Sequence, residues 1–287
     1  MHLATYNIRG RTSFGVVVGD GLVDLRPRLA PRFQSLLDLI RGEGYREARS
    51  IIAGVRPDFA LSEVQLLPPV IGGEKILCIG VNYANRSAEL TSAGGNEEAK
   101  YPSMFFKPPN SLVGHNQPIL RPPESEQLEY EGEIALIIGK TGRRIPKERA
   151  FEYVAGITMC NEGTIRDWIR HGRFNVTQGK CWEATGSIGP WMTTDVDLGK
   201  PLRIIVRING EVTQDDTTNS MIFKFADILS YASTFMTLKA GDIVATGTPI
   251  KLDQKSGERK WLKSGDTFEM TVPEIGTLRN TVQDEKP

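Results

Sequence analysis

Cysteine and histidine are scarce in this sequence, and their scarcity excludes several kinds of site. The 287 residues include three cysteines and three histidines. The odd number and wide spacing of the cysteines match neither a disulfide framework nor a zinc site, and they favour a reducing cytoplasm. The histidines are too few and too far apart for a histidine-rich metal centre. His171, between Arg170 and Gly172, stays a candidate substrate contact.

Charge of one sign and long hydrophobic runs are also missing. Lys plus Arg and Asp plus Glu both number 35, so no net charge attracts nucleic acid or an anionic membrane. No run of about 18 apolar residues predicts a transmembrane helix, and the N-terminus lacks the pattern of a secretory signal. No glycine-rich nucleotide-binding motif follows a predicted strand. These absences predict a cytoplasmic protein without a nucleic-acid or membrane partner.

The hydrophobic pattern predicts a β-rich α+β protein with two domains. Residues 1–70 combine a hairpin with helical spacing and are predicted to form a small N-terminal α+β domain, and residues 71–287 form a larger strand-rich one. Helices are predicted over 146–153 and 224–236. The predicted strands of the larger domain span residues 75–79, 133–138, 155–161, 202–208, 242–246 and 267–272.

The segment Glu131-Gly132-Glu133 carries the strongest chemical signal. It precedes the apolar run at 134–138, which is typical of a buried strand. Since residues two apart on a strand share a face, we expect both carboxylates to point the same way. Two like charges that are buried together repel each other, so a hard divalent cation is their simplest partner.

A third acid, Glu162, ends the apolar run predicted as a strand over 155–161. Three carboxylates at strand ends would form a facial oxygen site that leaves positions for substrate and water. Such a site suits Mg²⁺ or Mn²⁺. Taken alone, the pair Glu131 and Glu133 would more often be a solvated strand edge.

Other candidate residues have weaker signals. Lys180 cannot be distinguished by spacing from an ordinary surface lysine. Gly247 and Thr248 follow a buried strand, where the glycine lets the backbone approach a ligand and the threonine hydroxyl can bind a carboxylate. The segment after Tyr83 is rich in glycine and charge, which is typical of a mobile lid and equally of an unimportant loop.

Together, these segments resemble the fumarylacetoacetate hydrolase superfamily. They follow the family's order between residues 71 and 282, and the set is highly specific although each piece is weak. The matching segments are 80–83, 113–119, 130–133, 161–168, 179–180, 221–223, 241–249 and 275–280.

The resemblance implies a catalytic β-roll or sandwich fold, usually dimeric, with a Mg²⁺ or Mn²⁺ site. Lys180 would lie close to the metal-bound substrate oxygens, and Thr248 would hold the substrate carboxylate. The loop after Tyr83 would be the lid. The implied metal ligands are Glu131, Glu133 and Glu162, and the implied catalytic residues are Lys180 and the lid residues Arg86 and Glu89. The implied substrate contacts are Thr248, Gly247, Tyr83 and Arg166, with His171 as a further candidate.

Three positions depart from the family pattern. The third metal ligand is commonly Asp and is here Glu162. The lid commonly carries a histidine three residues before a glutamate, and here Arg86 precedes Glu89. Because arginine cannot act as a general base at neutral pH, Glu89 would serve alone as the catalytic base, and Arg86 could instead bind a second substrate carboxylate. Ile169 replaces a common glutamine, which predicts a more apolar pocket.

Family members act on 2-oxo and β-diketo acids. The resemblance therefore implies a metal-dependent hydrolase or lyase that cleaves a C–C bond in an acylpyruvate or an aromatic ring-cleavage product through an enolate. An isomerase, tautomerase or decarboxylase of 2-oxo-dienedioates or oxaloacetate is the alternative, which the missing lid histidine favours. A non-catalytic member that only binds a metal or ligand is a third reading. The expected partners are a small 2-oxo or β-diketo acid and a second copy of the chain.

Overall fold

The computed structural model describes residues 1–84, 100–169, 171–172, 176–252 and 260–286. Within these ranges the fold is the β-rich α+β type predicted from the sequence. None of the described helices is long and apolar enough to cross a membrane. The strands are β1 (His2–Ile8), β2 (Arg11–Val18), β3 (Gly21–Asp24), β4 (Phe59–Ala60), β5 (Gln65–Leu66), β6 (Ile76–Gly80), β7 (Ser103–Lys107), β8 (Leu112–Val113), β9 (Ile119–Arg121), β10 (Leu128–Glu129), β11 (Gly132–Ile138), β12 (Val154–Asn161), β13 (Thr164–Ile165), β14 (Gly186–Thr193), β15 (Arg203–Ile208), β16 (Glu211–Thr217), β17 (Ile243–Ala245), β18 (Thr267–Val272) and β19 (Gly276–Asp284).

Short helices connect these strands. The α-helices are α1 (Arg26–Leu29), α2 (Leu36–Arg41), α3 (Tyr45–Ile52), α4 (Thr177–Lys180) and α5 (Phe225–Phe235). Five 3-10 helices are described at Leu61–Glu63, Pro109–Ser111, Lys147–Tyr153, Arg166–Trp168 and Thr218–Ser220.

Two sheets and a short ribbon organise the described strands. The larger sheet has 12 strands, with the main order β4-β3-β2-β1-β14-β12-β11-β17-β6-β7, while β5 pairs with β1 and β8 with β14. The second sheet has 5 strands in the order β16-β15-β18-β19-β9. The ribbon pairs β10 with β13. Since β10 leads into β11 and β13 follows β12, the ribbon continues the two central strands at their acidic ends.

Strand β11 lies at the centre of the core. Ile134 and Leu136 belong to the apolar cluster that includes Val206 of the second sheet, whereas Ala135 and Ile137 belong to the cluster on the other face. Because neighbouring side chains of a strand point to opposite faces, β11 is covered on both sides. This double burial explains its continuous apolar run.

Most predicted elements are confirmed with small shifts at their ends. The six predicted strands are β6, β11, β12, β15, β17 and β18, and the predicted helix over 224–236 is α5. Asn209 and Gly210 form the hairpin turn between β15 and β16, with φ of 52° and 82°. The segment from Pro146 forms a 3-10 helix, Lys147–Tyr153, rather than an α-helix. Tight 3-10 turns are common in short connectors between strands.

The first strand joins the central sheet. Strand β1, which the sequence pattern does not predict, pairs with β14 in the register His2↔Thr193 and Leu3↔Met192. Strands from the first 70 residues therefore extend the sheet that contains β11 and β12. The division into two domains at residue 70 stays a prediction.

Candidate metal centre and active-site cavity

Three carboxylates meet at one end of the two central strands. One oxygen from each of Glu131, Glu133 and Glu162 lies within 4.8 Å of the others. The three residues are 3%, 1% and 1% exposed. The register Gly132↔Asn161 between β11 and β12 explains this meeting, because it brings the residues that flank both strand ends together. The structure thus places the three predicted metal ligands in one cluster.

Hydrogen bonds from two backbone N–H groups hold the acid cluster in place. The Glu131 N–H donates to Asn161 Oδ1 at 2.9 Å, and the Glu162 N–H donates to the Glu131 carbonyl at 2.9 Å. A Cβ added at Gly132 would point to the opposite face of the strand, where it would lie 2.5 Å from Val206 Cγ2. A side chain at this position would therefore separate the two sheets. Glycine between the two glutamates keeps the sheets in contact while both carboxylates face the same side.

Lys180 closes one side of the cluster. Its Nζ lies 2.5 Å from Glu131 Oε2 and 2.5 Å from Glu162 Oε1, and it stands 5.2 Å from the centroid of the Phe105 ring. Burial alone would lower the pKa of Lys180, but the two carboxylates outweigh burial, so the pKa is raised and the group is an ammonium. The predicted catalytic lysine is thus held against the predicted metal ligands.

The electrostatics of the cluster fit a divalent cation. Burial raises the pKa of Glu133 well above its usual value, and the carboxylates of Glu162 and Glu131 raise it further. Burial also raises the pKa of Glu162, although Lys180 opposes this rise. In the described part of the chain no ion pair reaches Glu133, and the charge of Lys180 only partly offsets the rise of its pKa. Hard oxygen donors with uncompensated negative charge are the donor set that Mg²⁺ and Mn²⁺ prefer.

The three carboxylates and Lys180 line a cavity of about 510 Å³. Its size suits a small organic acid. Apolar side chains form much of the remaining wall, including Phe105 and Ile169. Ile169 therefore adds an apolar side chain to the cavity wall, as the sequence predicts. Arg166 and Thr248 also line the cavity.

Two predicted substrate contacts sit on the segment that follows β17. The Gly247 N–H donates to Glu133 Oε2 at 2.8 Å. Thr248 Oγ1 accepts a hydrogen bond from Gln214 Nε2 at 3.0 Å. Because a hydroxyl has one hydrogen and two acceptor sites, this contact leaves the Thr248 hydrogen for an acceptor in the cavity.

Two other predicted substrate contacts, Tyr83 and His171, are not among the described residues that line the cavity. Tyr83 is 0% exposed and pairs with Met221, and it is absent from the described lining. His171 is exposed, and its ring lies 4.0 Å from that of Trp168. Arg86 and Glu89 fall outside the described residues.

The sequence pattern missed two lysines and a glutamine near the site. Lys107 is 3% exposed, and its Nζ donates to the Gly163 carbonyl at 3.2 Å and to the Lys180 carbonyl. Lys107 therefore joins the segment after Glu162 to the helix that carries Lys180. Gln214 supports Thr248, and Lys251 is 1% exposed. The only signal for Lys107 was a charged residue at the end of a hydrophobic strand.

Substituting Gly247 with alanine is expected to lower the free energy of unfolding by about 2–4 kcal/mol. Gly247 has φ +98, and an added Cβ would lie 2.7 Å from Asn82 Cβ. Chemical denaturation measures the loss. Gly265→Ala is the matched control, since Gly265 has φ +91 and no atom within 4 Å of an added Cβ. Equal losses in the two variants would contradict a steric role for the Asn82 contact.

Comparison with known proteins agrees with this arrangement. Residues 75–283 match the family model described as fumarylacetoacetate (FAA) hydrolase, C-terminal. This chain belongs to the fumarylacetoacetate hydrolase family. The resemblance inferred from the sequence motifs is therefore confirmed, and so is the family fold.

Relatives in this family have several activities. Oxaloacetate tautomerase Fahd2a of Rattus norvegicus is 35% identical over 272 residues, which are 92% of this chain and 85% of that protein. Oxaloacetate tautomerase YisK of Bacillus subtilis is 38% identical over 229 residues, which are 78% of this chain and 75% of that protein. The rat protein is named as mitochondrial, so the cytoplasmic location of this chain stays a prediction.

Solved structures of the family match the whole chain. A probable 2-hydroxyhepta-2,4-diene-1,7-dioate isomerase from Mycobacterium abscessus is 30% identical with a TM-score of 0.80, and 100% of both chains is covered. Maleylpyruvate hydrolase from Sphingobium sp. SYK-6, with manganese(II) and pyruvate, is 26% identical with a TM-score of 0.81 and the same coverage. The chain is thus an enzyme of a family whose members include tautomerases, isomerases and hydrolases.

Proposed function

We propose that this family member is a divalent-metal-dependent tautomerase of a short 2-oxo dicarboxylic acid, with oxaloacetate as the first candidate. The observation that carries the proposal is the contact of Lys180 Nζ with Glu131 and Glu162, at 2.5 Å each, in the cavity wall. This geometry puts a proton-carrying group beside the carboxylates that would hold the metal. Two relatives at 35% and 38% identity are named oxaloacetate tautomerases, which supports the choice of substrate.

Glu131, Glu133 and Glu162 would hold Mg²⁺ or Mn²⁺. When bound, such a cation supplies Lewis-acid chemistry, which draws electron density from a 2-oxo group and lowers the cost of negative charge on its oxygen. The cavity that these residues line has room for a small acid beside them.

The chain's own groups then bind the substrate and move protons. Thr248 donates its hydroxyl hydrogen to the substrate carboxylate, because Gln214 already occupies one acceptor site of that hydroxyl. Lys180 holds a proton at Nζ for the 2-oxo oxygen. Tautomerisation moves one proton from C3 and places one on that oxygen, so it consumes no water and breaks no C–C bond.

The proton at C3 also needs an acceptor. Glu89 is the sequence candidate for this base and stays a prediction, as do the homodimer and the cytoplasmic location. Phe105 and Ile169 in the cavity wall exclude water from the reacting atoms. No histidine lies among the described residues of the lining, which supports a reaction without activated water.

The C–C hydrolase that the sequence analysis put first is the second candidate. The likeness to maleylpyruvate hydrolase favours it. Hydrolysis requires a base that activates water, and the sequence has Arg86 where family members commonly have a histidine. Tautomerisation needs a base for the C3 proton but no activated water, so it fits the residues better than hydrolysis.

Turnover of two substrates separates the candidates. We expect the purified enzyme with Mg²⁺ or Mn²⁺ to accelerate enol–keto conversion of oxaloacetate by at least about 10²-fold, the contribution typical of general acid–base catalysis. Chelator should abolish the acceleration, and acetopyruvate should remain intact. Metal-dependent cleavage of acetopyruvate to acetate and pyruvate, without tautomerisation of oxaloacetate, would replace this proposal with the hydrolase.

A further inference from the structure

Lys107, the last residue of β7, is a buried lysine that bridges two backbone segments of the site. It is 3% exposed. Its Nζ donates to the Gly163 carbonyl at 3.2 Å and also donates to the Lys180 carbonyl. A buried charge is costly unless hydrogen bonds compensate it, so we expect these contacts to hold the ammonium in a fixed place. Lys107 is not among the described residues of the cavity lining, so any effect on the reaction must pass through its neighbours.

One end of this bridge lies next to a predicted metal ligand. Gly163 follows Glu162 directly and has φ +56, a left-handed conformation that favours glycine. A Cβ added at Gly163 would lie 2.1 Å from the Thr185 carbonyl oxygen. The backbone is therefore packed closely here, and the Gly163 carbonyl is a firm anchor for Lys107.

The other end of the bridge is the C-terminus of helix α4. This helix has only four residues, Thr177–Lys180. The last carbonyls of a helix have no partner within it, and a lysine ammonium can supply one. A helix this short has little stability of its own, so its position depends on contacts with the rest of the protein. Lys107 provides such a contact at the backbone of Lys180 itself.

Strand β7 also contacts the Lys180 side chain. The centroid of the Phe105 ring lies 5.2 Å from Lys180 Nζ, and residues two apart on a strand share a face. Phe105 and Lys107 therefore approach Lys180 from one strand, the first at its ammonium and the second at its carbonyl. On the same helix, a Cβ added at Gly179 would lie 2.4 Å from Ile169 Cγ1. Helix α4 is thus held both by β7 and by Ile169.

We propose that Lys107 is a positioning residue that sets the place of Lys180 between Glu131 and Glu162. It does so by fixing the backbone of Lys180 relative to Gly163, the residue next to Glu162. This inference rests on the proposed function, in which Lys180 Nζ holds a proton for the 2-oxo oxygen. Neither the motif segments nor the family resemblance includes Lys107.

Lys107→Met removes the ammonium and keeps an unbranched side chain. We expect kcat for enol–keto conversion of oxaloacetate to fall by about 10- to 100-fold, because misplacing a catalytic group by about 1 Å has a cost of this size. Pyruvate affinity, measured calorimetrically with Mn²⁺-loaded protein, should change by less than about threefold, which is less than the value of one hydrogen bond. Mn²⁺ affinity should stay the same or rise, because the variant removes a positive charge that acts on Glu162.

Two comparisons show whether Lys107 acts through Lys180. Lys224 also donates to two carbonyls, those of Thr218 at 3.2 Å and Asn219 at 2.7 Å, and it is not among the described residues of the cavity lining. Lys224→Met removes the same kind of contacts and should keep the wild-type kcat. In the K180M background, K107M should lower turnover by less than about twofold, because the residue that Lys107 positions is already missing.

The place of Lys180 can also be measured without turnover. In a crystal structure of K107M, we expect Lys180 Nζ to lie at least about 1 Å from its wild-type place and to lose its contact with Glu131 or Glu162. Should K107M not fold, K107Q, which has a shorter polar side chain without the charge, should show the same displacement and the same loss of kcat.

The outcomes separate this inference from the proposed function. Lys180 in its wild-type place in K107M, or a normal kcat, would overturn the positioning role. A parallel loss of kcat, pyruvate affinity and Mn²⁺ affinity would overturn it too, since Lys107 would then support the whole site. So would an undiminished effect of K107M in the K180M background. If the wild type fails to tautomerise oxaloacetate, the proposed function fails, and the place of Lys180 in K107M still decides this inference.

Discussion

Replacing Glu133 with glutamine is expected to abolish tight Mn²⁺ binding and to reduce metal-dependent turnover by at least about 10³-fold. Loss of a residue that only orients a metal ligand costs about 10- to 100-fold, and loss of a charged ligand costs more. Glutamine keeps the size of the side chain and can still accept the hydrogen bond from the Gly247 N–H. Electron paramagnetic resonance of a Mn²⁺ titration measures binding directly, and enol–keto conversion of oxaloacetate measures turnover.

The same variant carries an internal check on folding. In the presence of chelator, E133Q should unfold at the same temperature as the wild type or higher, because it removes a buried charge that Glu162 and Glu131 repel. Glu126→Gln, at an exposed position on the same stretch of chain, should change neither property. Wild-type Mn²⁺ affinity in E133Q would contradict the assignment of Glu133 as a ligand.

Replacing Lys180 with methionine is expected to lower turnover by about 10²–10⁴-fold, the range for a general acid. Mn²⁺ affinity should stay the same or rise, because the ammonium contacts an oxygen of Glu131 and an oxygen of Glu162. K180R should rescue little activity, since its planar group cannot reproduce both contacts. Steady-state kinetics and the Mn²⁺ titration separate the two effects.

Lys200→Met is the control for this substitution, because the Lys200 side chain is 77% exposed. It should leave both turnover and metal affinity unchanged. If K180M lost Mn²⁺ affinity together with turnover, Lys180 would be a structural support of the acid cluster rather than a proton carrier. Near-normal turnover in K180M would remove it from the chemistry altogether.

The centre of the fold and the acid cluster could be predicted from the sequence because their signals are local. The apolar run of β11 and the two glutamates beside it are adjacent in the chain, and Glu162 marks the end of a similar run. The cluster then required one long-range fact, the pairing of β11 with β12. The family resemblance implied that the three acids bind one metal, but it did not give that pairing.

The parts that could not be predicted depend on contacts between distant segments. Strand β14 contains Gly186, Gly189 and Pro190, residues that favour turns, and it is held in the sheet by β1 and β12 on either side. Tyr83 is fully buried and is not among the described residues of the cavity lining, so its contact with the substrate stays a prediction. Lys251 contacts Glu129 and Lys107 contacts Gly163, each more than 50 residues away, so the local sequence pattern did not reveal that these lysines are buried.

The central claim is that Glu131, Glu133 and Glu162 form a metal centre for a 2-oxo acid. An anomalous difference map from crystals grown with Mn²⁺ and pyruvate tests it most directly. The account predicts one strong peak bonded to an oxygen of each of the three carboxylates, with pyruvate beside it in the cavity. A manganese peak elsewhere, with Lys180 still bridging Glu131 and Glu162, would contradict it.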